Sequence, residues 1–124
     1  MKKLKTKIDY KDHRGIISDI IENENINAVT LLTIKKGKIR GNHYHKKTFQ
    51  WNYIISGKMK LITKKNGLKK SITLNKDDVA VTVPFEQHAL VGLTNCKVLV
   101  FTKGPRGGKE YESDTNRLKE PLCK

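Results

Sequence analysis

The sequence predicts a single all-β domain, either a sandwich or a barrel of short strands. Runs rich in Val, Ile, Leu and Thr recur about every 8–12 residues, with turn-forming residues between them. No stretch of about 11 residues or more shows helical periodicity. The 124 residues suit one domain with one core, and that core is predicted to be mainly aliphatic because aromatics make up only 6% of the chain.

The predicted elements run in order along the chain. Residues 1–11 are expected to form an edge strand, and Asp12 to Gly15 a turn. The strands that follow are bounded by Gly, Asn, Asp or Pro and cover residues 16–21, 27–35, 38–45, 50–56, 58–63, 68–74, 79–83, 88–93 and 97–103. Asn66-Gly67 is the pair that most often closes a two-residue β-hairpin. It therefore predicts that residues 58–63 and 68–74 pair.

The composition changes after the last strong strand. Residues 104–124 begin with a glycine-rich stretch and continue with charged and polar residues. We expect an extended tail outside a barrel core of about residues 12–103, either disordered or packed on the surface. A lid and a strap across a partner subunit are the alternatives.

Two histidines mark the candidate site. His43 and His45 are two residues apart, so on a strand they point to the same side, roughly 7 Å apart along the chain. Gln50 begins the next strand and shares a face with Asn52. Imidazoles and an amide that converge inside a β-barrel would make a small polar site. The alternative is a pair of surface histidines on an edge strand.

The spacing of these residues resembles that of the cupin family. The first cupin motif reads G-x5-H-x-H-x3-4-E-x6-G, and Gly37, His43, His45 and Gly57 match it, with Gln50 in place of Glu. In the second motif only His88 matches. The resemblance implies a double-stranded β-helix, the jelly-roll barrel, with all three histidines and Gln50 pointing inward from adjacent strands.

Two groups of cupin enzymes resemble the chain more closely. The segment RGxHAHKxLxQ of the dTDP-sugar 3,4-ketoisomerases is matched at Arg40, Gly41, His43, His45, Lys46 and Gln50. The dTDP-4-dehydrorhamnose 3,5-epimerases have a similar RGLHY segment, and their opening resembles Asp12-x-Arg14-Gly15. The resemblance implies an isomerase or epimerase of a nucleotide-linked keto sugar in deoxysugar and surface polysaccharide biosynthesis.

The same resemblance implies roles for the residues of the site. His43 would be the catalytic base and His45 its partner in proton transfer. The substrate-binding residues would be Arg40, Lys46, Gln50 and His88. No cofactor is required by this reading.

A metal-binding cupin is the main alternative. His43, His45 and His88 would hold a divalent transition ion (Ni, Zn, Fe, Mn or Cu), for which neutral imidazoles are suitable ligands. The Gln50 amide would be a weak fourth ligand. A sugar-binding cupin without catalytic activity is a third class.

Charge and composition limit the partners and the compartment. The net charge is +14, from 26 Lys and Arg against 12 acids. The lysines are spread along every segment and are not interleaved with aromatics, which favours a solvated basic surface over a nucleic-acid site. The positive field also suits a dianionic nucleotide sugar. The sequence contains no apolar run of about 20 residues and no secretion signal, so we expect a cytoplasmic protein that does not enter a membrane, with Cys96 and Cys123 as free thiols.

The strand that follows the histidines predicts a homodimer. Its second face carries Trp51, Tyr53 and Ile55, which are more apolar than a solvent-facing row requires. Pairing of two chains would cover this face and the sheet edges. Residues 1–11 are the candidate segment for exchange between subunits.

Overall fold

The structure, a computed structural model, describes residues 2–5, 8–105 and 108–124. Strands dominate this part of the chain, and a short helix lies near its end. The elements in order are β1 (Lys2–Lys5), β2 (Tyr10–Asp12), β3 (Gly15–Ile17), β4 (Ala28–Ile34), β5 (Ile39–His45), β6 (Phe49–Ser56), β7 (Met59–Lys65), β8 (Leu68–Leu74), β9 (Asp78–Thr82), β10 (Gln87–Gly92), β11 (Cys96–Lys103), α1 (Gly108–Asp114) and β12 (Thr115–Arg117).

Two five-stranded antiparallel sheets face each other. The first has the order β1-β9-β6-β11-β4 and the second the order β12-β5-β10-β7-β8, while β2 and β3 form a separate hairpin. Sequence neighbours such as β5 and β6 lie in opposite sheets, which is the jelly-roll arrangement. The predicted all-β fold is confirmed. The predicted hairpin at Asn66-Gly67 is also present, because β7 pairs with β8 from Lys65 opposite Leu68 onward.

The structure corrects two of the predicted elements. The strand predicted for residues 16–21 ends at Ile17, and residues 18–27 form no regular element. The tail predicted as extended folds instead: residues 108–117 form α1 and β12, and β12 joins the second sheet beside β5. In the segment predicted as an edge strand, residues 1–11, β1 pairs with β9 and β2 pairs with β3. Met1, Thr6 and Lys7 of this segment lie outside the described residues. The same is true of Arg106 and Gly107 in the tail.

The interior has an apolar end and a polar end. Buried aliphatic side chains fill the space between the sheets at one end: Ile34, Ile54, Met59, Leu61, Leu74, Ala80, Leu90, Cys96, Val98 and Val100. At the other end the same strands present polar side chains to the interior. On β6 the inward row changes from Gln50 and Asn52 to Ile54, and on β10 from His88 to Leu90. A buried polar layer must be satisfied by hydrogen bonds, so this end is the place to look for a site.

Two further sequence expectations concern thiols and membranes. Cys96 is buried and Cys123 is partly buried, and both are free, as expected. Among the described residues, no helix has the length and apolar composition that a bilayer crossing requires.

Candidate functional site

Three histidines form a compact cluster at the polar end of the barrel. His43 and His45 lie on β5 and share one face, as their spacing predicts, and His88 lies opposite His43 on β10. The ring centroids are 4.9 Å apart for His43 and His45, 4.7 Å for His43 and His88, and 5.4 Å for His45 and His88. One ring nitrogen from each histidine lies within 4.8 Å of the others. The cluster is thus small enough for one ligand atom or ion to contact all three rings.

A glycine allows β5 to approach β10 at this point. Gly41 has φ +90°, and a Cβ there would lie 2.9 Å from the main-chain oxygen of His88. The register between the two strands shifts between His88 and Ala89, which is a β-bulge, and Asn42 also has a positive φ of 57°. Because bulges redirect the side chains beside them, this irregularity places His43 directly against His88.

Main-chain carbonyls orient two of the imidazoles. Nδ1 of His88 lies 3.0 Å from the Glu86 carbonyl oxygen, and Nδ1 of His45 lies 3.2 Å from the Asp114 carbonyl oxygen. A carbonyl can only accept a hydrogen bond, so these two contacts favour the tautomer in which Nδ1 carries the proton. In the neutral rings, Nε2 then carries the lone pair.

The surroundings of the cluster keep two imidazoles neutral. Burial, with smaller contributions from the charges of His45 and Arg117, lowers the pKa of His43 to about 4. Burial also lowers the pKa of His88 to about 3, together with the charges of His43 and His45 and against the hydrogen bond to Glu86. Both imidazoles are therefore neutral at neutral pH, with one protonated nitrogen and one nitrogen that can accept a proton.

A cavity of about 390 Å³ opens beside the cluster, between the two sheets. His43 and His88 form part of its wall, and Gln50 and Asn52 reach it from the facing sheet. The prediction that Gln50 comes from a strand adjacent to the histidines is therefore wrong, because β6 lies across the barrel from β5. The opposite position brings an amide towards the imidazoles through the interior. Apolar lining comes from Leu32, Ile39, Leu90 and Val100.

The remaining predicted residues differ in their placement. Arg40 lines the cavity at an exposed position, and its Nε donates a hydrogen bond of 3.0 Å to the Thr33 carbonyl. Lys46 is exposed and is not part of the cavity wall. Asp12 and Arg14 form an exposed ion pair of 2.7 Å within the β2–β3 hairpin, outside the cavity.

The C-terminal segment supplies wall residues that the sequence did not predict. They are Tyr111, Glu112, Thr115 and Arg117. β12 pairs with β5 so that Arg117 lies opposite His43 and Thr115 opposite His45. The Tyr111 ring lies 5.4 Å from the ring of His45. No spacing rule links these residues to the histidines, because the link is a strand pairing between distant parts of the chain.

Fold and site together define a cupin-type protein, and the comparisons with known proteins agree. Residues 10–102 match the polysaccharide biosynthesis C-terminal domain family. The chain belongs to that family. No curated protein sequence matches the chain at a significant level.

Solved structures of sugar-nucleotide enzymes have the same fold. The sugar 3,4-ketoisomerase QdtA from Thermoanaerobacterium thermosaccharolyticum, in complex with TDP, is 25% identical, with 95% of this chain and 88% of that chain covered and a TM-score of 0.79. The TDP-quinovose 3,4-ketoisomerase WlaRB from Campylobacter jejuni is 21% identical, with 94% and 92% covered and a TM-score of 0.80. The dTDP-4-dehydrorhamnose 3,5-epimerase from Sulfolobus tokodaii is 15% identical, with 94% and 75% covered and a TM-score of 0.76.

Proposed function

We propose that this protein is an isomerase or epimerase of a nucleotide-linked keto sugar, and that it acts as a 3,4-ketoisomerase in deoxysugar and polysaccharide biosynthesis. The observation that carries the proposal is the cluster of His43, His45 and His88 beside a cavity with Arg40 in its wall. The structural similarity to QdtA, which covers 95% of this chain, supports a nucleotide sugar as the substrate class. A histidine-to-asparagine mutant of QdtA is known in complex with TDP-4-keto-6-deoxyglucose.

The reaction moves one proton from C3 to C4 and one from the 3-oxygen to the 4-oxygen, and imidazoles can perform both transfers. A base removes the proton from C3, next to the C4 ketone, and an enediolate forms. A proton then goes to C4, the 3-hydroxyl gives up its proton, and O4 gains one, so that the ketone ends at C3 and no atom is lost. Neutral imidazoles are suitable groups for each transfer.

The positions of the histidines suggest which residue performs each step of the reaction. His43 lines the cavity and is neutral at pH 7, so it takes the proton from carbon. His45 lies beside it, farther from solvent, and carries protons between the two oxygens or to the second carbon. His88 and Gln50 bind and orient the sugar. Arg40 neutralises the diphosphate or the charge of the enediolate, where a fixed cation stabilises the transition state most.

Hydrogen exchange tests the proposal directly. The protein is incubated in deuterated water with TDP-4-keto-6-deoxyglucose, and the recovered sugar is analysed by NMR and mass spectrometry. We expect deuterium on a ring carbon together with the 3-keto product. His43→Asn should bind the sugar but turn over about 10²–10⁴ times more slowly, which is the usual contribution of a general base.

His13→Asn is the matched control, because His13 is exposed in the turn between β2 and β3. It should exchange at the parent rate. If the parent binds the sugar without exchanging a ring proton, the protein is a sugar-binding cupin without catalytic activity. If His43→Asn exchanges as fast as the parent, His43 is not the base.

A metal cupin is the second candidate function. The residues fit an ion, because the imidazoles of His43, His45 and His88 converge and the lowered pKa values of His43 and His88 keep those two rings neutral. The Gln50 amide oxygen would complete the set. A bound divalent ion would supply a Lewis acid for the sugar ketone. The chain's own residues would still have to move the protons.

Metal content distinguishes the two candidates. The untagged protein is dialysed against a chelator and analysed by mass spectrometry for Ni, Zn, Fe, Mn and Cu, and its activity is measured before and after. Stoichiometric metal that is lost together with activity would favour the metal enzyme. Full activity in protein without metal supports proton transfer by the histidines alone.

The partner proposed for the outer face of the first sheet is a second copy of the chain. Apolar and aromatic side chains cross three neighbouring strands there: Val29 and Leu31 on β4, Leu99 and Phe101 on β11, and Trp51 and Tyr53 on β6. Val29 and Leu31 are 58% and 62% exposed. A patch of this kind is typical of a protein interface. In this chain β1 pairs with β9. In a dimer, β1 of each copy could take the same place beside β9 of the other copy, so that the two strands are exchanged.

Light scattering at tens of micromolar protein tests the dimer. We expect twice the chain mass for the parent and a shift towards the monomer for Leu31→Lys. Leu68→Lys is the matched control, because Leu68 is 60% exposed on β8 of the other sheet. A monomer mass for the parent would contradict the proposal, and so would equal effects of the two substitutions.

A further inference from the structure

The C-terminal segment is fastened to the histidine site through one residue. Asp114 ends α1 and is 5% exposed. Its carboxylate accepts hydrogen bonds from the main-chain N–H groups of Lys46 and Lys47, at 3.0 and 3.1 Å, and from the Thr48 hydroxyl at 2.6 Å. These three donors belong to the turn that immediately follows His45. The carboxylate thus fixes the turn at which β5 ends.

The main chain of the same residue contacts the catalytic cluster. The Asp114 carbonyl oxygen lies 3.2 Å from Nδ1 of His45. Thr115, the next residue, pairs with His45 in the β12–β5 ladder. Asp114 is therefore fixed in two ways. Its side chain binds the turn after His45, and β12, which begins at the next residue, pairs with β5. A carbonyl anchored in this way cannot move away from the ring without breaking several hydrogen bonds.

We propose that Asp114 is a positioning residue that keeps His45 in the Nδ1-protonated tautomer and points its Nε2 lone pair towards His43 and His88. The carboxylate does this indirectly, by fixing the place of its own carbonyl. The two carboxylate oxygens have enough acceptor sites for all three donors, which lie at 3.0, 3.1 and 2.6 Å.

The tautomer decides which ring nitrogen of His45 can accept a proton. A proton on Nδ1 leaves Nε2 as the nitrogen that can accept a proton from the sugar or bind an ion. With the opposite tautomer, Nε2 would carry the proton and could not accept one. The inference about His45 in the resting protein stands without any substrate, whereas its effect on turnover rests on the proposed function.

NMR of the imidazole nitrogens tests the tautomer. The protein is labelled with ¹⁵N-histidine and studied at about pH 8, where an ordinary histidine is neutral. The signals of His45 are those missing from His45→Gln. We expect the Nδ1-protonated form in the parent and a mixture of both tautomers in Asp114→Ala. Glu110→Ala, which removes an exposed carboxylate from the same helix, should leave the spectrum unchanged.

A conservative substitution separates position from charge. Asp114→Asn keeps an oxygen for the Lys46 and Lys47 N–H groups, and its amide can donate to the Thr48 hydroxyl. It should restore the parent tautomer. Turnover should fall about 10–100-fold in Asp114→Ala, the range known for the loss of a hydrogen-bond partner behind a metal-binding histidine, with KM little changed, and recover in Asp114→Asn.

Two results would overturn the proposal: Nε2-protonated His45 in the parent, or the parent tautomer in a folded Asp114→Ala. If Asp114→Ala does not fold, Thr48→Val decides instead. It removes one partner of the carboxylate at nearly constant shape, and an unchanged His45 spectrum would count against the proposal. A parent protein without isomerase activity would refute the proposed function and leave the NMR result intact.

Discussion

Gly41 offers the sharpest test of how the histidine site is built. Its φ of +90° is costly for any residue with a Cβ, and a Cβ there would lie 2.9 Å from the His88 oxygen and 3.3 Å from the Ala89 Cα. Both neighbours are main-chain atoms, so no side chain can rotate away. Gly41→Ala must therefore strain β5, push β10 outward, or do both.

The expected magnitude has two parts. The backbone conformation costs ~1–2 kcal/mol for alanine. Displacing a packed strand by a few tenths of an ångström adds ~1–3 kcal/mol, as overpacking usually does. Gly37 separates these parts, because it has φ +80° and no atom lies within 4 Å of the position that a Cβ would take there. Gly37→Ala should thus lose only the first part, and Gly41→Ala both.

Urea unfolding followed by fluorescence of Trp51 measures the two variants side by side. The slope of the transition should stay constant, so that the difference in midpoint reports stability. If the free energies of unfolding agree within ~0.5 kcal/mol, the contact with β10 has no energetic importance and the reasoning fails. A second readout is the His88 imidazole, whose ¹⁵N signals should move in Gly41→Ala and stay in place in Gly37→Ala.

Two further predictions follow from the charges of the site. Burial, the largest cause, lowers the pKa of His43 from 6.5 to about 4 and that of His88 from 6.5 to about 3. As the pH falls below 6.5, the unfolded chain therefore takes up protons before the folded chain does. The stability that these two neutral rings contribute is complete above pH 6.5 and is lost as the pH falls towards 4 and 3. Urea unfolding at about pH 4.5 should show a loss of ~2–4 kcal/mol relative to pH 7.5, reduced in His43→Asn, and an unchanged loss in that variant would contradict the assignment. Arg40→Gln should raise KM for TDP-4-keto-6-deoxyglucose about 10–100-fold, because a charged hydrogen bond is lost, whereas Lys46→Gln, outside the cavity wall, should change KM less than about twofold. Equal effects on KM would show that Arg40 does not contact the anion.

Local patterns predicted the part of the site that lies on single strands. The alternation of β5 placed His43 and His45 on one face, and that of β6 turned Gln50 and Asn52 inward, because side chains in a strand alternate whatever its partners are. The hairpin at Asn66-Gly67 followed from turn chemistry in the same way. What alternation does not specify is which sheet a strand joins. For that reason Gln50 was expected next to the histidines and lies across the barrel from them.

The two errors in the predicted elements have different physical causes. Ile20 and Ile21 suggested a strand, but in the structure they line a surface groove with Val29 and Phe101, so their burial comes from packing on the first sheet and not from strand pairing. Strand propensity is largely a measure of such packing, and the partner decides whether a strand forms. The helix α1 has seven residues, too few for a periodic signal.

The electrostatics of the cavity explain why Gln50 suits the position where the cupin motif has Glu. A carboxylate among the imidazoles would draw protons onto them and turn bases into acids. The Gln50 amide adds no charge beside the neutral rings of His43 and His88, so it does not balance the positive charges of Arg40 and Arg117 on the cavity wall. Arg117 does have a counterion in Glu112, at 3.9 Å, but both side chains are largely exposed, and such a pair contributes little. The cavity therefore combines two neutral imidazoles, as the proposed proton transfers require, with two arginines on a wall that has one acidic residue, Glu112, among the described residues.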